Sequence, residues 1–110
     1  MSFKPVDGWN EPPFRCLIKT GTYTGDGNAT QAITGVGFTP KAIRVERDKA
    51  AGSEAYVKID TMGLGSSMHV NGSDPHVVDM IISCDADGFT VGNTNAINNA
   101  GQTYFYVCWG

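Results

Sequence analysis

The sequence predicts an all-β domain, an antiparallel β-sandwich of about eight strands with jelly-roll-like connections and an extended arm at its N-terminus. Three observations carry that expectation. Short apolar runs alternate in register with polar residues and are separated by Gly, Asp, Asn and Pro turn chemistry, while helix formers are thin throughout. The 110 residues include 14 glycines and little leucine, which favours many short strands and tight turns. The chain closes with Tyr104-Phe105-Tyr106-Val107-Cys108-Trp109, a run apolar and aromatic on both of its faces. Such a strand cannot sit at a solvated edge, so it must be central or covered by another subunit.

Residues 1–14 differ in character from the rest of the chain. Pro5, Pro12 and Pro13 fix the backbone and remove donors, and Phe3, Trp9 and Phe14 are spaced among polar residues with neither helical nor strand period. This segment is expected to be an arm whose aromatics dock on a partner or fold back on the domain's own surface. The β domain itself is expected over 15–110, a length that buries a true core without staples.

The strands are expected at Arg15–Thr20, Ala29–Thr34, Lys41–Arg47, Glu54–Thr61, Ser66–Val70, Val77–Cys84, Phe89–Val91 and Thr103–Trp109. In the third, Ile43 and Val45 share one face and Arg44 and Glu46 the other. In the fourth, Val57 and Ile59 oppose Tyr56, Lys58 and Asp60, the signature of a half-buried strand. Val78, Met80, Ile82 and Cys84 repeat the alternation. Gly25-Asp26-Gly27-Asn28 and Asp85-Ala86-Asp87-Gly88 supply the residues that reverse a chain, and Thr39-Pro40 and Asp74-Pro75 mark corners. No helix longer than about a turn is expected, Arg47–Gly52 being the best candidate.

Composition and motifs narrow the function. The net charge of −3, with both signs interspersed, offers neither a basic stripe for nucleic acid nor a polybasic membrane patch. No apolar run is long enough to span a bilayer, and Met1–Pro5 lacks the apolar centre of a signal peptide, so folding in a cytoplasm is expected. Cys16, Cys84 and Cys108 lack metal spacing and read as buried reduced thiols. Ser66, Ser67 and Ser83 sit outside any nucleophile elbow, and His69 and His76 flank a turn, so no catalytic residue is assigned. Asp85 and Asp87 with Asn93 and Asn95 offer oxygen ligands, but a calcium site needs more of them, and the turn reading accounts for the same residues; no metal or cofactor is expected. Gly35-Val36-Gly37 and Gly63-Leu64-Gly65 are not phosphate loops, since no helix follows either. Asn93, Asn95, Asn98 and Asn99, close to Tyr104 and Tyr106, hold the ingredients of a saccharide pocket, or of an ordinary solvated loop.

The blocks Gly21-Thr22-Tyr23-Thr24-Gly25-Asp26-Gly27-Asn28, Gln31-Ala32-Ile33 and Gly37–Val45, with Asp87–Gly92 and Asn98–Val107, resemble a small all-β module of bacteriophage virion proteins, of the tail-fibre, receptor-binding or decoration type. In such a module Phe38 and Phe89 are core plugs where the chain crosses between sheets. The module occupies nearly the whole chain and carries the aromatic arm at its front, where a tail fibre would have a long shaft. The resemblance therefore implies a non-enzymatic virion protein, a surface decoration or fibre-like module docking on head or tail through Phe3, Trp9 and Phe14. A homotrimer is expected, with Tyr104, Tyr106 and Cys108 meeting a neighbour, and other virion proteins as partners. The alternative is a lectin-like module of a tail fibre that binds a host-surface glycan through Asn93, Asn95, Asn98 and Asn99.

Overall fold

A computed structural model describes residues 17–48, 54–70 and 77–110. Phe3, Trp9 and Phe14, together with Cys16, Asp74-Pro75 and His76, lie outside the described residues. Among the described residues nine strands are formed: β1 (Ile18–Thr24), β2 (Gln31–Ile33), β3 (Ala42–Arg47), β4 (Ala55–Ile59), β5 (Ser66–His69), β6 (Val77–Val78), β7 (Ile81–Asp85), β8 (Gly88–Val91) and β9 (Thr103–Trp109). One helical turn, α1 (Asn95–Asn98), precedes β9. The strands make two sheets, six-stranded in the order β1-β9-β3-β4-β5-β6 and three-stranded in the order β2-β8-β7, and every pairing is antiparallel. The expected sandwich is the observed fold.

The closing strand is central. β9 pairs with β1 from Ile18↔Trp109 to Thr24↔Thr103 and with β3 from Ala42↔Trp109 to Arg47↔Tyr104, so its backbone groups find partners on both sides. Its faces are the reverse of the expectation. Tyr104, Tyr106 and Cys108 turn inward and are buried, and Phe105, Val107 and Trp109 look outward. β4 behaves in the same way: Tyr56 and Lys58 are buried, while Ile59 is exposed. Opposite them, Ile43 and Val45 of β3 face the core, as their alternation with Arg44 and Glu46 predicts.

Most strand ends shift by a residue or two, and two of the expected strands change more than that. β1 starts at Ile18 and runs through Gly21 to Thr24, because all seven of its residues pair with β9. Gly21 stands opposite Tyr106, and a Cβ there would lie 2.6 Å from the Tyr106 hydroxyl oxygen; the missing side chain is the space the tyrosine occupies. The expected strand over Val77–Cys84 is two strands, since the chain leaves the large sheet after Val78 and joins the small one at Ile81. Asp79 turns that corner at φ 61°, in the left-handed region a non-glycine residue seldom adopts. A bulge between Ile81 and Ser83 then resets which side chains of β7 point inward, so both Ile81 and Cys84 face the core.

The core between the sheets is built on aromatics. Tyr23 stacks on Tyr104 with centroids 5.0 Å apart, and Phe89 sets its edge against Tyr106 at 5.3 Å and Tyr23 at 6.1 Å. Ile33, Val36, Ile43, Val45, Ile81, Val91 and Ile97 complete it. The stacked pair of phenols is satisfied internally: Tyr23 donates to the Ile97 carbonyl at 2.8 Å, and Tyr104 donates to the Asn95 carbonyl at 2.9 Å while accepting the Asn99 N–H at 2.8 Å. Burial, and secondarily Tyr104, raises the Tyr23 pKa far above the usual phenol value.

Phe89, fully buried, is the plug the sequence predicts, whereas Phe38 is only half-buried at the margin of the core. Phe89→Ala is therefore expected to cost about 3–5 kcal/mol by cavity formation, and Phe38→Ala roughly half of that. Denaturant melts of the two variants check the difference; equal losses would mean that Phe38 is as deeply packed as Phe89.

Candidate functional site

The strand register places an apolar row across the outer face of the large sheet. Ile18, Trp109, Ala42 and Ile59 are successive cross-strand neighbours on β1, β9, β3 and β4, and Val78 of β6 extends the apolar surface toward the far edge. Ile18 is 55% exposed, Trp109 38%, Ile59 42% and Val78 66%. A second row runs Thr20, Val107, Arg44, Val57 and Met68, and a third holds Thr22, Phe105, Glu46 and Ala55. Phe105 is 47% exposed. Arg44 and Glu46 pair with each other at 3.4 Å at the solvent surface, an interaction worth little by itself. Large apolar side chains gathered on one sheet face, with a single ion pair among the described residues there, are the composition of an interface more than of a solvated surface.

The asparagine stretch is divided by the structure. Asn93 and Asn95 are exposed, Asn99 is half-buried, and Asn98 is fully buried. The Asn98 side chain accepts the Asp26 N–H at 2.9 Å and donates to the Asp26 carboxylate and the Asn28 carbonyl, both at 3.1 Å. Its amide is thus spent in tying the turn after β1 to α1. Around it, Gly25 N–H donates to the Gln102 carbonyl, Gly27 N–H to the Asn98 carbonyl and Gly101 N–H to the Gly25 carbonyl. These four asparagines do not present one surface. Of the four, only Asn98 commits its side-chain amide; Asn93 and Asn95 present theirs to solvent, Asn99 sits half-buried, and Asn95 gives its backbone carbonyl to Tyr104 and Arg47.

The two aspartates of the β7–β8 hairpin are also committed internally. Asp85 accepts the hydroxyls of Ser83 at 2.7 Å and Thr90 at 2.6 Å. Asp87 accepts the backbone N–H of Gly35 at 3.0 Å and of Gly37 at 2.7 Å, clamping a loop in which both glycines have positive φ. Those two N–H donors favour the ionised form and hold the Asp87 carboxyl below its ordinary value. His69 stacks on Tyr56 at 4.7 Å, a packing role. Ser67 is buried, with its Oγ accepting the Ile81 N–H at 3.4 Å, and Cys84 and Cys108 are free thiols.

Sequence reasoning missed the outer row because it assigned β9 and β4 the wrong faces. The signal that could have found it is the neighbouring strand: Arg44 and Glu46 label the outer face of β3, and antiparallel pairing carries that label across to Phe105 and Val107. It also passed over Lys58, a lysine on the buried side of β4.

The family model described as "Domain of unknown function (DUF7483)" matches residues 16–110. No curated protein and no solved structure matches the chain.

Asn98→Ala is expected to cost about 1–3 kcal/mol, because the Asp26 N–H and the Asn28 carbonyl lose their partner inside the loop cluster. A thermal melt checks it. The Asp87 clamp predicts an acid dependence of definite sign. Its folded pKa lies below the ordinary 3.8, so its stabilisation is complete above that value and is withdrawn as pH falls through the folded one. Asp87→Ala is expected to flatten the stability profile below about pH 4 relative to the parent chain, as read by denaturant midpoints across the acid range.

Proposed function

The chain belongs to the DUF7483 family, a domain of unknown function, and we propose that this member is a non-enzymatic assembly module of a bacteriophage virion, a surface decoration or fibre-like part that docks on head or tail. The observation that carries this reading is the outer face of the large sheet. Ile18, Trp109, Ile59, Val78 and Phe105 hold apolar surface in water on the very strands whose other side makes the core. A soluble chain gains by covering such a face, and a copy of itself or a larger protein shell does so. The blocks Gly21–Asn28, Gly37–Val45 and Asn98–Val107, which resemble virion β-modules, supply the biological setting.

In this reading the domain forms a homotrimer, and the face buried between subunits is that of Phe105, Val107 and Trp109 in place of Tyr104, Tyr106 and Cys108. Phe3, Trp9 and Phe14 anchor the assembly to other virion proteins, since extended segments bind through a few buried aromatics. The glycan alternative has weaker support. Asn98 is buried with its side-chain amide spent inside the loop cluster and Asn99 is only half-buried, so the four asparagines do not form the one exposed surface that reading needs.

Ile59→Lys combined with Val78→Lys is expected to leave the melting temperature within a few degrees of the parent, because neither side chain is in the core, while converting the oligomer to a monomer in light scattering. A parent chain that is strictly monomeric at high concentration, and that is absent from purified particles of its phage, overturns the assembly reading.

A further inference from the structure

Lys58 breaks the pattern of its strand. It lies on the inner side of β4, 2% exposed, where a sandwich of this size ordinarily carries an apolar side chain. Its ammonium donates to the Gly63 carbonyl at 2.8 Å and the Ser66 carbonyl at 2.7 Å, closing the β4–β5 loop. Closing that loop accounts for two of the three hydrogens. Among the described residues no carboxylate lies within 4.0 Å of it, so the charge has no direct counter-ion. Burial pushes its pKa down, with Cys84 opposing.

The same side chain lines an open cavity of about 390 Å³ at the end of the sandwich, between the β4–β5 loop, the β2–β3 loop and β7. One wall is apolar: Pro40, Met62, Leu64 and Ile82. The charged groups facing it are Lys41, Lys58 and Asp60, which together leave one positive charge. Leu64 stands at this wall 82% exposed, an apolar side chain turned to solvent. The remaining hydroxyls are turned away, Thr39 toward the Ala86 carbonyl and Ser83 toward Asp85. Cys84 is a free thiol in the same wall.

We infer that this cavity binds a small amphiphilic carboxylate, its head on Lys58 and its aliphatic body against Pro40, Met62, Leu64 and Ile82. A carboxylate supplies the missing counter-charge and accepts the remaining ammonium hydrogen, and a single negative charge matches the net charge of the wall. The volume lies within the range of small-molecule sites. The site is on the inner side of β4 and at the sandwich end, away from the outer sheet face, so it stands independently of the assembly reading.

Cys84 provides the test, because iodoacetate is itself a small carboxylate. In the probe reaction the Cys84 thiolate attacks the methylene carbon, the S–C bond forms, iodide leaves with its bonding pair and the thiol proton passes to buffer. The rate of Cys84 alkylation by iodoacetate relative to neutral iodoacetamide is measured by peptide mass spectrometry, in the folded chain and in the same chain denatured. The ratio cancels any change in thiolate fraction. It is expected to be about tenfold higher in the folded chain, the size of one charge-assisted contact, to fall to the denatured value in Lys58→Met, and to be suppressed by hexanoate but not by hexanol. An unchanged ratio, a ratio indifferent to Lys58→Met, or no protection by hexanoate overturns the proposal. So does a folded Cys84 that neither reagent reaches. Should Lys58→Met fail to fold, the folded-to-denatured ratio and hexanoate protection in the parent chain decide alone.

Discussion

Everything in this domain is arranged around a strand that has no polar side. β9 presents Tyr104, Tyr106 and Cys108 on one face and Phe105, Val107 and Trp109 on the other, so it can be neither an edge nor a half-solvated strand of an isolated sheet. Its position between β1 and β3 satisfies the backbone on both sides. The inner face then organises the core: Tyr104 receives Tyr23, Tyr106 receives Phe89, and the small sheet closes over them. The outer face is what remains, and it leaves Phe105 and Trp109 among the exposed apolar side chains of the large sheet.

The same tyrosines reach beyond the core. Tyr23 and Tyr104 carry their hydroxyls to the backbone of the Asn95–Asn98 turn, and Asn98 extends that connection to the turn at Asp26 and Asn28. Loops far apart in sequence are thereby fixed to the central strand by buried hydrogen bonds, each of which would leave an unsatisfied group if cut. At the opposite margin Asp87 performs the corresponding task with a carboxylate, gathering the N–H groups of Gly35 and Gly37. Polar residues that resemble ligand-binding groups in sequence are, in this fold, largely the fasteners of its loops. Lys58 differs from them in kind, because a charge left over after its hydrogen bonds are counted is not needed to fasten a loop.

The sequence by itself determined the fold class, most of the strands and the turns between them, since period-two alternation and Gly, Asp, Asn and Pro chemistry act locally and leave local traces. Ile43 and Val45 were legible as core because Arg44 and Glu46 mark the other face of β3. Only the tertiary structure decided the faces of β9 and β4, where both sides carry apolar residues: alternation groups residues by face but does not say which face is inside. It also decided the break at Asp79, since an exchange between sheets depends on where the second sheet lies and not on the composition of Val77–Cys84. The burial of Asn98 and the open end around Lys58 were decided in the same way. Each is made by segments tens of residues apart, Asp26 with Asn98 and Pro40 with Lys58 and Cys84, and no local pattern records a meeting that only the closed sandwich brings about.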